Sequence, residues 1–375
     1  MERRIPLNHR QGLQCVVTGF RDLLEHGTGL ALSEDYCHGL GSGLFFGYME
    51  REDFAAFGSA TDNLLENAAA NLSAKLVICE STGDDWPELK GLIDAGQPVM
   101  VETSFDLIAR YSATYGMAIS GRTQVEAQAE AEETLGLQLG RHYVVVTGYD
   151  DERDLVFCVD NKTSLEIPRD EFMQMRTAAG PDRLFYADRN RIVYFLFPPV
   201  IDDLPYRTVL AVRRAVDYWY RYPEHPRALA DWHTRQRLGV GGLYNTAAAV
   251  RRFREHFPTI GLHHDEAYRR KSLFFCTQVV ARSSGPDMLR GMYARFLREA
   301  AGVTGLPLLE DAARDYAALA REWRAFFHYL NANQSRLAET WGDAAVVAEL
   351  RTWVNRLADR EEAAVERLAG LTLKW

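Results

Sequence analysis

Metal-ligand spacing is missing from this 375-residue chain. Its five cysteines (15, 37, 79, 158, 276) contain no C-x-x-C, and its ten histidines no H-E-x-x-H, so a zinc site of either familiar type is not expected. His263 with His264, and the pair His225/His233, are the nearest approaches. Five scattered thiols also fall short of a disulfide framework. The N-terminus MERRIPLNHRQG has no apolar stretch behind its arginines. A secretory signal is therefore not expected, and reduced thiols in a cytoplasm are. No run of about eighteen apolar residues occurs, which argues against a membrane-spanning helix. No fixed-period repeat is present either. The Gly-rich HGLGSGLFFGYME (38–50) neither follows a strand nor opens a helix, so it does not read as a dinucleotide fingerprint. Its glycines instead suit a close approach of backbone to a cleft or ligand.

Charge is unevenly spread. Residues 1–200 carry 17 Lys and Arg against 31 Asp and Glu, a net −14; residues 201–375 carry 26 against 21, a net +5. An acidic front half favours cationic small molecules over nucleic acid, and a mildly basic back half suits an acidic protein. Arg251, Arg252, Arg254, Arg269, Arg270 and Lys271 form the candidate dock.

The length predicts two domains. In the first, apolar spacing predicts a helix starting at Cys15 and stopping at Gly27, with a second over 61–73. LVICE (76–80) reads as a buried strand, 86–96 as a helix and PVMVET (98–103) as a strand. The acidic, Ala/Gln-rich segment 117–140 reads as a surface insertion. RHYVVVTGYDDERDLVFCVDNK (141–162) is two β-branched runs around a polar turn, hence a β-hairpin, and 191–198 is a further strand. After FPPVIDDLPY (197–206) only helical patterns follow, at 207–221, 240–256, 266–281, 286–303, 307–331 and 344–371. The fold class is therefore α+β over 1–200, followed by an all-α domain over 201–375.

Three residues combine into one candidate site. A thiol in the first turn of a helix faces the positive end of the macrodipole, which favours thiolate. Cys15 fits, whereas Cys79, Cys158 and Cys276 lie in apolar segments and Cys37 in a loop. His142 opens the first hairpin strand. A three-residue turn at 150–152 sets it opposite Asp160; a four-residue turn sets it opposite Asn161. Either side chain can orient an imidazole, and Asp160 is preferred because it also stabilises imidazolium. A helix-borne cysteine followed by His and Asp/Asn on adjacent strands is the papain-type order. Papain-like enzymes place a glutamine six residues before the cysteine, and His9 stands there instead. Gln11, Gln14 and the Cys15 backbone N–H are the remaining oxyanion donors.

The segments CVVTGFRDLLEHG, LSEDYCHGLGSGLFFGYME, PVMVETSFDLI and GRHYVVVTGYDDE, in this order, resemble the N-terminal domain of the butirosin-biosynthesis H-type acyltransferases. GVGGLYNTAAAV and MLRGMYARFLREAAGVTGLPLLEDAARDYAALAREWRAFF resemble the accessory domain fused to it. The resemblance implies a papain-like fold. It also implies transfer of an acyl group from a carrier protein's phosphopantetheine thioester to an amine, with Cys15 as nucleophile, His142 as base and Asp160 as orienter. It implies no bound cofactor or metal: the pantetheine arrives on the partner, an acyl or peptidyl carrier protein. The other readings are a cysteine hydrolase (peptidase, amidase or thioesterase) on the same triad, and a non-catalytic carrier-binding scaffold. Acyl group, acceptor and oligomeric state stay open.

Overall fold

The computed structural model describes residues 1–59, 63–104, 111, 141–176, 190–198, 200–221, 240–280 and 284–372. The 117–140 insertion and the His225/His233 pair lie outside them. The chain is mixed α and β with antiparallel sheets, and its C-terminal region is mainly helical. It divides into two compact units, one of 1–37 with 68–202 and one of 38–67 with 203–375. Residues 38–67, assigned by the sequence to the first domain, thus pack with the C-terminal region.

With elements numbered along the chain, the first unit holds β1 (Glu2–Arg4), α1 (Cys15–Thr28), β4 (Lys75–Ser81), α4 (Trp86–Asp94), β5 (Val99–Ser104), β6 (Arg141–Asp150), β7 (Leu155–Val159), β8 (Ser164–Pro168), α5 (Arg169–Arg176) and β9 (Asn190–Leu196). The α2 helix (Glu34–Leu40) and the α3 helix (Leu64–Leu72) cross the unit boundary. The seven strands form one antiparallel sheet in the order β4-β9-β5-β6-β7-β8, with β1 beside the far end of β6. Strand alternation gives the sheet two faces. Val99, Val101, Val144, Val146, Val156 and Ile192 point to one face, packing with Leu89 and Ile93 of α4 and Phe172 of α5. Gly19 of α1 lies against Met100 and Val145 on the other, and Phe20 meets Phe195 at a ring distance of 5.2 Å. Helix α1 runs one residue past Gly27 and closes at Gly29, whose φ of 72° a side chain would strain. LVICE is an edge strand rather than a buried one, with Ile78 38% exposed.

The second unit is not all-α. Val240–Asn245, expected to begin a helix, is a strand (β10) pairing with β2 (Gly47–Arg51), which pairs in turn with β3 (Ala55–Gly58). Gly241 and Gly242 disfavour a helix start, and β2 supplies the ladder. The helices are α6 (Leu204–Arg221), α7 (Thr246–His256), α8 (Ile260–His263), α9 (Glu266–Phe274), α10 (Arg290–Thr304), α11 (Pro307–Ala332), α12 (Gln334–Thr340) and α13 (Ala344–Thr372), with a π-helical turn at Phe275–Val280. Phe57 of β3 is central to the core, its ring 4.9 Å from Phe253, 5.3 Å from Phe257 and 5.5 Å from Trp323. Gly39 lies against Phe296, Gly41 against Leu64 and Gly43 against the His38 ring. Those three glycines therefore serve close packing inside this unit.

Candidate functional site

Helix α1 begins at Cys15, whose side chain is half-buried. Helix starts leave backbone N–H groups without intrahelical acceptors. Gln14, the N-cap, accepts from Val16 N through Oε1 at 3.1 Å. Glu34, at the start of α2, accepts from Leu13 N at 2.9 Å, Gln14 N at 2.8 Å and Thr18 Oγ1 at 2.9 Å. Gly12 makes room for both groups, since a Cβ there would overlap Thr18 Oγ1 and stand 2.7 Å from Glu34 Oε1. From the opposite flank, Gly12 N donates to Asn161 O at 2.7 Å and Lys162 Nζ to Gly12 O at 2.6 Å. Asn161 Nδ2 donates to Leu13 O at 3.2 Å. The segment before Cys15 is thus fixed between α2 and the turn that follows β7.

That turn carries Asp160, which is 2% exposed. Its Oδ1 accepts from Lys162 N at 2.6 Å and Thr163 N at 2.7 Å, the pattern of an Asx turn. Its Oδ2 is buried without a hydrogen-bond partner. His142, second in β6, is 4% exposed. Burial lowers its pKa to about 4, and the Asp160 charge opposes that shift. The imidazole is therefore neutral near pH 7, the form a general base requires.

The hairpin register differs from both expectations. The turn is 151–154, Asp150 pairs with Leu155, and a bulge between Val146 and Gly148 brings Val145 opposite Val159. Strand β7 ends there, so His142 has neither Asp160 nor Asn161 across from it on β7; its ladder partner is Thr103 of β5. Alternation still aligns His142 with Val144 and Asp160 with Cys158, on one face and at one end of the sheet. Helix α1 covers the other face.

The remaining candidates separate. Gln11 is exposed, Gln14 spends its carbonyl on the helix start, and Asn161 donates to Leu13 rather than serving only as an alternative orienter. His9 Nδ1 pairs with Asp22 Oδ2 at 2.6 Å, and Arg21 Nε donates to Asp22 Oδ1 at 3.0 Å. Asp22 lies seven residues beyond Cys15, about 10 Å down the helix, which sets His9 away from the thiol. Cys37 is helical and fully buried, not in a loop, and burial pushes its thiol far up; Cys158 follows suit and Cys276 is raised to about 12. Glu34, Thr18, Gly12 and Lys162 were not anticipated. Ser33, whose Oγ accepts from Tyr36 N at 2.9 Å, gave a readable start for α2, but nothing local pointed its neighbour Glu34 at Leu13.

The basic dock is mostly engaged within the second unit. Arg252 pairs with Glu50, Arg254 with Asp359 and Glu362, Arg270 with Glu266 and Lys271 with Asp53. Arg269 donates to Ala338 O at 2.8 Å and also to the carbonyls of Gly261, His264 and Glu339, the last turns of α8 and α12. His264 stacks on Tyr268 with ring centroids 3.7 Å apart. Among the described residues, no helix is long and apolar enough to cross a membrane.

Residues 14–121 match the family described as butirosin biosynthesis protein H, N-terminal, and residues 182–368 match Domain of unknown function (DUF4872). Cys15 falls inside the first match; His142 and Asp160 fall between the two. No curated protein matches the chain.

Proposed function

Because the chain belongs to the butirosin biosynthesis protein H family, we propose that it is a biosynthetic enzyme acting as a cysteine-dependent, amide-forming acyltransferase with a papain-like first unit. The observation that carries this reading is the loop before Cys15 tied to the turn that holds Asp160, beside the buried neutral His142. The acyl donor is a pantetheine thioester on a carrier protein and the acceptor is an amine.

Cys15 passes its thiol proton to neutral His142 as its sulfur attacks the thioester carbonyl. The tetrahedral intermediate collapses with loss of the pantetheine thiolate, which takes the proton from His142, leaving an acyl-Cys15 thioester. The amine attacks this carbonyl while His142 accepts its proton; the amide leaves and the Cys15–His142 pair is restored. The Cys15 backbone N–H and the Gln14 side-chain Nε2–H are the donors that would receive the oxyanion. Exchange between thioesters is nearly balanced in energy, and aminolysis drives the sequence. Asp160 Oδ2 would hold the imidazolium formed in each half-reaction.

Intact-mass analysis after exposure to acyl-pantetheine tests the proposal. Wild type should gain one acyl mass, Cys15→Ala should gain none, and an added amine should discharge the adduct as amide. Free acid formed whether or not amine is present assigns a hydrolase. A protein that binds carrier yet acquires no adduct from any thioester is a scaffold. Charge reversal at Arg252 or Arg254 breaks pairs inside the second unit, so it reads stability before carrier binding.

A further inference from the structure

We infer that Glu34 is a positioning residue for Cys15, and that Gly12 and Thr18 form its seat. This rests on the reading of Cys15 as nucleophile.

A carboxylate at the positive end of a helix is favoured, and bonds from backbone N–H to a charged acceptor are short and strong. Here the carboxylate acts on the two residues immediately before the thiol: Glu34 takes Leu13 N and Gln14 N, and Thr18 Oγ1, one turn along α1, turns the same carboxylate toward the helix. A Cβ at Gly12 would collide first with Thr18 Oγ1 and then with this carboxylate. Asn161 and Lys162 hold the carbonyls of Gly12 and Leu13 from the other side. The backbone leading into Cys15 therefore has its donors and acceptors fixed by two elements, and only Glu34 contributes charge on the donor side. That charge has a chemical cost. A carboxylate near the start of α1 opposes the thiolate that the helix favours. Its presence there follows if orientation of the nucleophile matters more than its acidity.

The two effects have opposite signatures. In Glu34→Gln, loss of charge should move the pH profile of Cys15 alkylation by iodoacetamide toward lower pH. Loss of the clamp should lower kcat for acyl transfer at least ~10-fold with KM for the acyl-pantetheine within about two-fold. Glu34→Asp keeps the charge with a shorter reach; its alkylation profile should stay near that of wild type and its kcat should lie between the other two. Gly12→Ala, whose Cβ presses first on Thr18 Oγ1 and then on the carboxylate, disturbs the seat without removing the charge and should lower kcat without the acid-ward shift. Melting temperatures for all variants identify any that fail to fold, and the remaining pair then decides. A Glu34→Gln enzyme with kcat within two-fold of wild type overturns the inference, as does an alkylation profile superimposable on wild type. If wild type shows no Cys15-dependent transfer, the acyltransferase reading fails on its own, and the limiting alkylation rate above the profile's midpoint judges the clamp: Glu34→Gln should lower it, and an unchanged rate overturns the inference.

Discussion

The two units build their interiors from different materials. In the first, β-branched Val and Ile side chains of β5, β6, β7 and β9 tile a pleated surface under α4 and α5. In the second, a three-stranded sheet and several helices converge on rings: Phe46, Phe57, Phe253, Phe257, Trp323 and Phe326. Small branched side chains suit a regular lattice, where each residue meets the next strand at a fixed spacing. Large rings span irregular gaps between helices, each burying far more area per residue. Polar groups follow the same division. Glu361 of the second unit accepts from both Arg290 Nε (2.8 Å) and Trp323 Nε1 (2.7 Å) at its centre. In the first unit, Arg176 and Asp85 form a two-pronged pair at 2.6 and 2.5 Å beside the sheet.

If rings carry the second unit, Trp323→Ala should cost about 4 kcal/mol or more in denaturant unfolding, because it opens a cavity and removes a donor from Glu361. A loss under half of that would break the comparison. Next, Arg176→Met should cost about 3 kcal/mol by stranding the Asp85 carboxylate, whereas Arg176→Met with Asp85→Leu should recover most of it. Failure of the double variant to recover would show the pair does more than cancel charge.

Acid then sharpens the contrast. His142 of the first unit is lowered to about 4 and His38 of the second to about 3, both mainly by burial, with Arg290 and Arg295 adding to the effect at His38. Both ring nitrogens of His38 lack hydrogen-bond partners. The unfolded chain takes up a proton at each histidine below about pH 6.5 while the folded chain does not, so stability falls as pH drops. Each should remove about 2 kcal/mol by pH 5, a loss that stops near pH 4 for His142 and continues to about pH 3 for His38. Urea midpoints of His142→Gln and His38→Phe across that range measure each share. The smallest effect belongs to the lattice: Ile192→Val should cost about 1 kcal/mol.

Much of the first unit was legible because its signals are local. The Val-rich runs of 141–159 announced a hairpin, and polar residues before CVVTGF announced a helix start at Cys15. The register was not legible. It depends on a bulge at Val146/Gly148 and on a four-residue turn, and either one alone displaces Asp160 relative to His142. Residues 38–67 were misassigned for a different reason: β2 finds its partner in β10, nearly two hundred residues later, and no local pattern encodes that choice. Glu34 escaped notice likewise, since its acceptors' role appears only when α2 folds back onto Leu13 and Gln14.

Asp160 divides its labour between two oxygens, one holding the turn and the other buried without a hydrogen-bond partner, while its charge acts on His142. Replacement by asparagine keeps an acceptor for the turn but presents an N–H where the second oxygen stood. A screen for folded, abundant protein would pass Asp160→Asn as harmless. The same change would reverse the polarity offered to the imidazole, so abundance and activity at this position should diverge.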